Sequence, residues 1–151
     1  MLANMGMLHS IENELTPDRI AVLVDTFYDR IQVHPVLGPI FNDVVSDWGA
    51  HKQRLTSFWC SVALGTRSYR GNPLAMHQPL PINAAHFRQW LALWQQTTRD
   101  VLGDEPGQHM LDYAQRIARG MQMGLNLLPR AQNDLGIPVY NVAPNPPDFA
   151  G

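Results

Sequence analysis

Four stretches of the chain repeat apolar residues at helical spacing, and nothing between them alternates with the period of two that a half-buried strand requires. That pattern commits the chain to packing helices on helices. The first stretch runs from about Pro17 to Val33. Thr16 suits the N-cap, Pro17 the first helical position, and Asp18 the positive end of the helix dipole. Ile20, Leu23, Val24, Phe27 and Ile31 share one face, and His34-Pro35 ends the helix because a residue before proline is pushed out of the α region. After a turn through Gly38-Pro39 and the apolar pair Ile40-Phe41, the second helix is expected over about Trp48 to Leu64. Its stripe is Trp48, His51, Leu55, Phe58, Trp59 and Val62, and Gly65 can close it in the left-handed conformation. The third starts after Pro81, with Asn83 as cap, carries Phe87, Trp90, Leu91, Trp94 and Val101, and ends at Gly103. The fourth begins at Asp104-Glu105-Pro106 and carries Met110, Ala114, Ile117, Met121, Leu125 and Leu128 up to Pro129.

A chain of 151 residues makes one such domain rather than two. The helical pattern occupies 15–129, with a ragged extension at 1–14 and a proline-rich, loose tail expected at 130–151. A single cysteine, Cys60, excludes an intrachain disulfide and a CxxC metal site. The net charge of −2 has no clustered basic face behind it, which disfavours nucleic acid. No apolar run reaches the roughly 18 residues of a membrane helix, so the protein is expected in the cytoplasm and off the membrane.

The stretch from Thr66 to Pro81 breaks the pattern. Gly71, Pro73, Pro79 and Pro81 leave room for at most one helical turn, around Leu74 to His77. Long loops of this kind inside compact domains are often functional. His77, held between those prolines, is either a loop histidine facing water or a stiffly held imidazole with one nitrogen free for a metal. His51 lies on an apolar helical stripe, where the ordinary reading is a core or rim residue with bonded nitrogens. His9, His34 and His109 read as solvent-facing, and His86 as a rim residue. Together, His51 and His77 can set two imidazoles on opposite sides of a flat apolar cavity. No carboxylate shares their spacing, which fits a His/Asp/Glu metallohydrolase poorly, and no GxSxG or strand supports a serine triad. Phe58, Trp59 and Trp94 read as plain core. Tyr28 and Trp90 each bring a polar hydrogen that needs a partner when buried, and a bound ligand could be that partner.

Phe27-Tyr28-Asp29, Leu37-Gly38-Pro39-Ile40-Phe41-Asn42, Trp48 with His51-Lys52, Phe58-Trp59, Tyr69-Arg70-Gly71-Asn72-Pro73, His77, and Phe87 with Trp90-Leu91 follow one another in the order of a known family. From Leu15 to Leu128 the chain resembles the group III truncated haemoglobins; each motif is weak alone, and the ordered set is specific. The Gly-Gly signatures of groups I and II are missing, and the proline-rich tail is not part of the shared pattern. The resemblance implies an all-α, two-on-two helical sandwich around a b-type haem. It implies His77 as the proximal ligand to iron, Tyr28, His51 and Trp90 as distal residues, and Phe41 packed on the porphyrin. Leu55 would line the distal side, and Arg54 and Tyr69 are candidates for the haem propionates.

The function so implied is reversible binding of O2, NO and CO in a polar distal pocket, by a monomer, with Tyr28 and Trp90 as donors that slow ligand release. The alternative is a haem-dependent NO dioxygenase or a peroxidase acting on peroxide, served by an unidentified reductase. A cofactor-free helical interaction domain is the remaining class, and the ordered motifs weigh against it.

Overall fold

A computed structural model of the chain describes residues 14–128. Most of the extension expected at 1–14, together with His9, Pro129 and the tail at 130–151, lies outside the described residues. Among the described residues there are six helices and no strand: α1 (Pro17–Gln32), α2 (Leu37–Val44), α3 (Trp48–Leu64), α4 (Pro73–His77), α5 (Ala84–Leu102) and α6 (Asp104–Gly124).

Three of the four long helices, α1, α3 and α5, start where a side-chain cap dictates. The Thr16 hydroxyl accepts from the Arg19 N–H at 3.2 Å, and Asp47 Oδ1 accepts from the Ala50 N–H at 3.1 Å. Asn83 and His86 form a reciprocal capping box at the start of α5. Gly65 closes α3 at a φ of +68°. α1 packs on α3 and on α5, α5 packs along α6, and α3 touches α6. One pair, α1 and α3, therefore lies over the other, α5 and α6, in the two-on-two arrangement. Ile20, Leu23, Val24, Phe27 and Ile31 of α1 are fully buried between them, with Trp59, Trp94 and Met110 at the centre. Two ionic ties cross this core's rim. Lys52 Nζ reaches Asp25 at 2.8 Å and Asp29 at 2.6 Å, joining α3 to α1, and Arg30 reaches Asp100 at 2.8 Å, joining α1 to α5.

Three expectations need correcting. Gly38-Pro39 is not a turn but the first turn of α2. Pro39 stands third in that helix, where an N–H would have no intrahelical acceptor, so its missing hydrogen costs nothing. Gly38 is required there by contact: a Cβ would fall 2.8 Å from the Gln32 carbonyl oxygen. His34, expected to face solvent, is half-buried, and its Nδ1 accepts from the Val36 and Leu37 N–H groups at 3.1 and 3.0 Å, capping α2. The last helix stops at Gly124 instead of running to Pro129, with Asn126 in the left-handed region at φ +60°. Leu125 and Leu128 are thus past its end.

Candidate functional site: an apolar cavity that all six helices line

The helices enclose a cavity of about 480 Å³, within the range that holds a large organic ligand. Each helix contributes to it: Tyr28 from α1, Phe41 from α2, His51, Arg54 and Leu55 from α3, His77 from α4, Trp90 from α5 and Met121 from α6. Tyr69, on the segment before α4, lines it too. All eight site residues expected from the sequence therefore meet at one place, although they are spread from position 28 to position 90.

His77 is placed by a short helix with firm ends. Asn72 Oδ1 caps α4 by accepting from the Ala75 N–H at 3.1 Å, and Pro73 fills the first position. His77 Nδ1 lies 2.6 Å from the Pro73 carbonyl oxygen. A carbonyl can only accept, so Nδ1 carries the hydrogen and the neutral ring keeps its lone pair on Nε2. Burial holds the His77 pKa below the ordinary imidazole value, and the Pro73 carbonyl pulls it part-way back. A half-buried, neutral imidazole oriented by a backbone carbonyl suits a metal bond from its second nitrogen. The partner is a carbonyl, not a carboxylate, in line with the neighbours Met76 and Gln78. The expectation of one helical turn here holds, and His77 lies half-buried on the cavity wall.

A second cluster is aromatic. Tyr28 is 3% exposed, and its ring meets Phe27 edge-on at 4.9 Å, His51 edge-on at 5.9 Å and Phe41 at 6.3 Å. Burial drives the Tyr28 hydroxyl far above the ordinary phenol range, and the Trp90 indole N–H donating to its oxygen offsets part of that. Trp90 thus eases the burial of the Tyr28 oxygen before any ligand arrives, and the Tyr28 O–H hydrogen can still be given elsewhere. His51 is half-buried on the same side, its ring edge-on to Trp48 at 5.5 Å as well as to Tyr28. Burial, then the Arg54 guanidinium, then His77 lower its pKa, so the ring is neutral near pH 7.

Arg54 is exposed and Tyr69 half-buried. Burial raises the Tyr69 pKa while the Arg54 charge lowers it, which puts the two side chains within electrostatic reach of each other. The segment carrying Tyr69 is fastened to α3 by a hydroxyl cluster of Ser61, Thr66 and Ser68 and by the Tyr69 N–H donating to Ser61 Oγ at 3.0 Å. Gly71 makes room for the ring: a Cβ there would lie 2.5 Å from the Tyr69 hydroxyl. His86, expected at the rim, lines the cavity while its Nδ1 accepts from the Asn83 N–H at 3.0 Å. Helical spacing alone missed the cavity-lining part of Phe58 and Trp59, because a stripe that packs on a cavity repeats like one that packs on core. Among the described residues no cluster of three His, Cys, Asp or Glu side chains could hold a metal by itself, so a metal here needs its other ligands from a bound group.

Comparison with known proteins decides the family. Residues 15–123 match the model of the bacterial-like globins. This chain is a truncated globin. The globin is 33% identical over 113 residues to the group 3 truncated hemoglobin Ctb of Campylobacter jejuni, a match spanning 72% of this chain and 89% of that protein. It is 38% identical over 76 residues to the group 2 truncated hemoglobin YjbI of Bacillus subtilis, spanning 48% of this chain and 57% of that one. The crystal structure of the group III truncated hemoglobin from Campylobacter jejuni superposes with a TM-score of 0.70 at 34% identity, covering 74% of this globin and 92% of that chain. The fold and the family named from the sequence both stand. Membership implies haem and the binding of diatomic gases. No helix among the described residues of the globin is long and apolar enough to cross a membrane.

Proposed function

We propose that this globin holds a b-type haem through His77 and reversibly binds O2, NO and CO with slow release, as a monomer. The observation that carries the reading is the His77 ring, which keeps an Nε2 lone pair because Nδ1 is committed to the Pro73 carbonyl. When bound, the haem would supply an iron able to take up a diatomic gas. Phe41 and Leu55 give the apolar walls a porphyrin needs. Arg54 and Tyr69 offer a cation and a hydroxyl to its propionates.

Tyr28 is the donor to the gas. Trp90, by donating to the Tyr28 oxygen, polarises the O–H and fixes which way it can point. A hydrogen bond to a ligand that accumulates negative charge is worth about 1.5–3 kcal/mol, roughly a ten- to hundred-fold slower release. Neutral His51, in ring contact with Tyr28, controls entry to the same space. The second reading, an NO dioxygenase or a peroxidase fed by a reductase, shares this donor set. Peroxidases commonly strengthen the proximal ring with a carboxylate, and the carbonyl partner of His77 supports the binding function over that one.

Absorption spectra of purified protein in ferric, ferrous, CO and O2 forms test the proposal. A Soret band and an O2 complex that outlasts seconds of mixing with excess CO are expected; colourless protein that takes up no added haemin overturns it. Consumption of NO in air faster than free haem achieves would move the conclusion to the second reading.

A further inference from the structure

All four tryptophans of the chain belong to one connected set of rings at this site. Trp59, Trp94 and Trp90 are stacked: Trp59 on Trp94 at 4.4 Å and 26°, Trp94 on Trp90 at 5.3 Å and 8°, and Trp59 to Trp90 at 6.4 Å and 19°. Phe27 stands edge-on to Trp90, Trp94 and Tyr28 at 4.8–5.3 Å. Tyr28 then reaches Trp48 at 6.1 Å, and Trp48 lies at the rim, its N–H donating to the exposed Asn42 Oδ1 at 3.2 Å. Trp59, Trp90 and Tyr28 line the cavity; Trp94 and Trp48 do not. The rings thus lead from the cavity wall in two directions, one into the core and one to the surface.

Trp94 stands against both Trp59 and Trp90, and near-parallel indoles in such contact share a positive charge, so the cluster gives up an electron more readily than an isolated indole. Whether it also loses a proton depends on a nearby base, and none is provided. Trp94 donates to the Met110 backbone carbonyl at 3.1 Å, Trp90 to a phenol oxygen, and the fully buried Trp59 N–H has no partner among the described residues. An oxidised stack therefore keeps its protons and can be restored by an electron alone.

We propose that the Trp59–Trp94–Trp90 stack is an electron reserve for the cavity, and that Trp48 is the point at which a small one-electron organic reductant refills it. The oxidant is hydrogen peroxide, which any protein handling O2 beside a reductant meets. One peroxide takes two electrons and two protons and leaves as two waters. The stack yields the electrons one at a time to the haem, each loss leaving an indole radical cation. Each is refilled by one reductant of the phenol or ascorbate class, whose electron enters at Trp48 and tunnels past Tyr28, which keeps its proton throughout. In sum, one peroxide, two protons and two reductants become two waters and two singly oxidised reductants. The role is protective and rests on the haem reading above.

The test uses haem-loaded protein mixed with hydrogen peroxide, frozen for electron paramagnetic resonance and digested for peptide mass mapping. Wild type should give an indole radical, with lasting oxidation concentrated on Trp48 when no reductant is present and suppressed by ascorbate. Trp94→Phe, which alters no cavity-lining residue, should lose most of that radical and bleach its haem faster. Trp48→Phe, at the half-buried rim, should keep the radical but lengthen its life in ascorbate. A wild-type radical confined to tyrosine, a signal indifferent to Trp94→Phe in folded protein, or a decay indifferent to Trp48→Phe overturns the proposal while leaving the haem reading intact. Failure of the wild type to bind haem overturns both.

Discussion

The two sides of the cavity are built differently. Tyr28 and Trp90 sit on long helices, α1 and α5, whose inner faces are buried and locked by ring contacts with Phe27 and Trp94. His77 sits on α4, a five-residue helix with no buried residue, which figures in none of the extensive helix–helix contacts. Met76, its neighbour, is 66% exposed. One wall is part of the protein's core; the other is pinned by its own cap and by two prolines. The difference teaches where each wall draws its stability. The aromatic wall keeps its shape through packing that exists without a ligand. The α4 wall gains most from the ligand it would hold, because binding stabilises whatever it requires folded by RT ln(1 + [L]/Kd).

The sharpest way to break this contrast is to cut each wall at its support. Trp94→Ala should cost about 3–5 kcal/mol in urea denaturation, a large share of a domain's total. A loss that large is not expected on the α4 side from truncating exposed Met76, and an equal loss there would erase the distinction. Next in size, Tyr28→Phe should speed O2 release about ten- to hundred-fold in stopped-flow displacement by CO, the loss of one charge-assisted bond. Trp90→Phe should shift release in the same direction but less, since its N–H reaches the ligand through Tyr28.

Two matched caps sharpen the comparison further. Asn83→Ala at α5 and Asn72→Ala at α4 each remove one side-chain cap worth about 0.5–2 kcal/mol. The first should lower the denaturation midpoint; the second should leave that midpoint almost unchanged and instead speed haem transfer to apomyoglobin. The smallest effect belongs to Lys52→Met, which opens the ion pairs from α3 to Asp25 and Asp29. With the carboxylates 65% and 62% exposed, about 0–1 kcal/mol is expected, shrinking as salt is added to the denaturation series.

Much of this was legible in the chain because the decisive signals are local. Thr16, Asn83 and Gly65 mark helix ends by chemistry that acts within a few residues, and the prolines around His77 permit one turn and no more. α2 was illegible for a related reason: its cap is the ring of His34, a residue type outside the usual capping set, so Gly38-Pro39 read as a turn. The end of α6 was overrun because the apolar spacing continues past Gly124 after the backbone has left the helix. The pairing of Trp90 with Tyr28 joins two helices distant in sequence, and no local pattern carries it. The stacking of the tryptophans is hidden in the same way, since spacing gives a face but not the angle between rings.

The central claim is that one nitrogen of His77 holds an iron porphyrin in this cavity. Ferrous protein reconstituted with haemin, examined by resonance Raman spectroscopy, reads the bond itself. The wild type should show an iron–histidine stretch that vanishes in His77→Gly and returns, shifted, when free imidazole is added. An iron–histidine stretch that persists unchanged in His77→Gly would place the bond on another residue and contradict the claim.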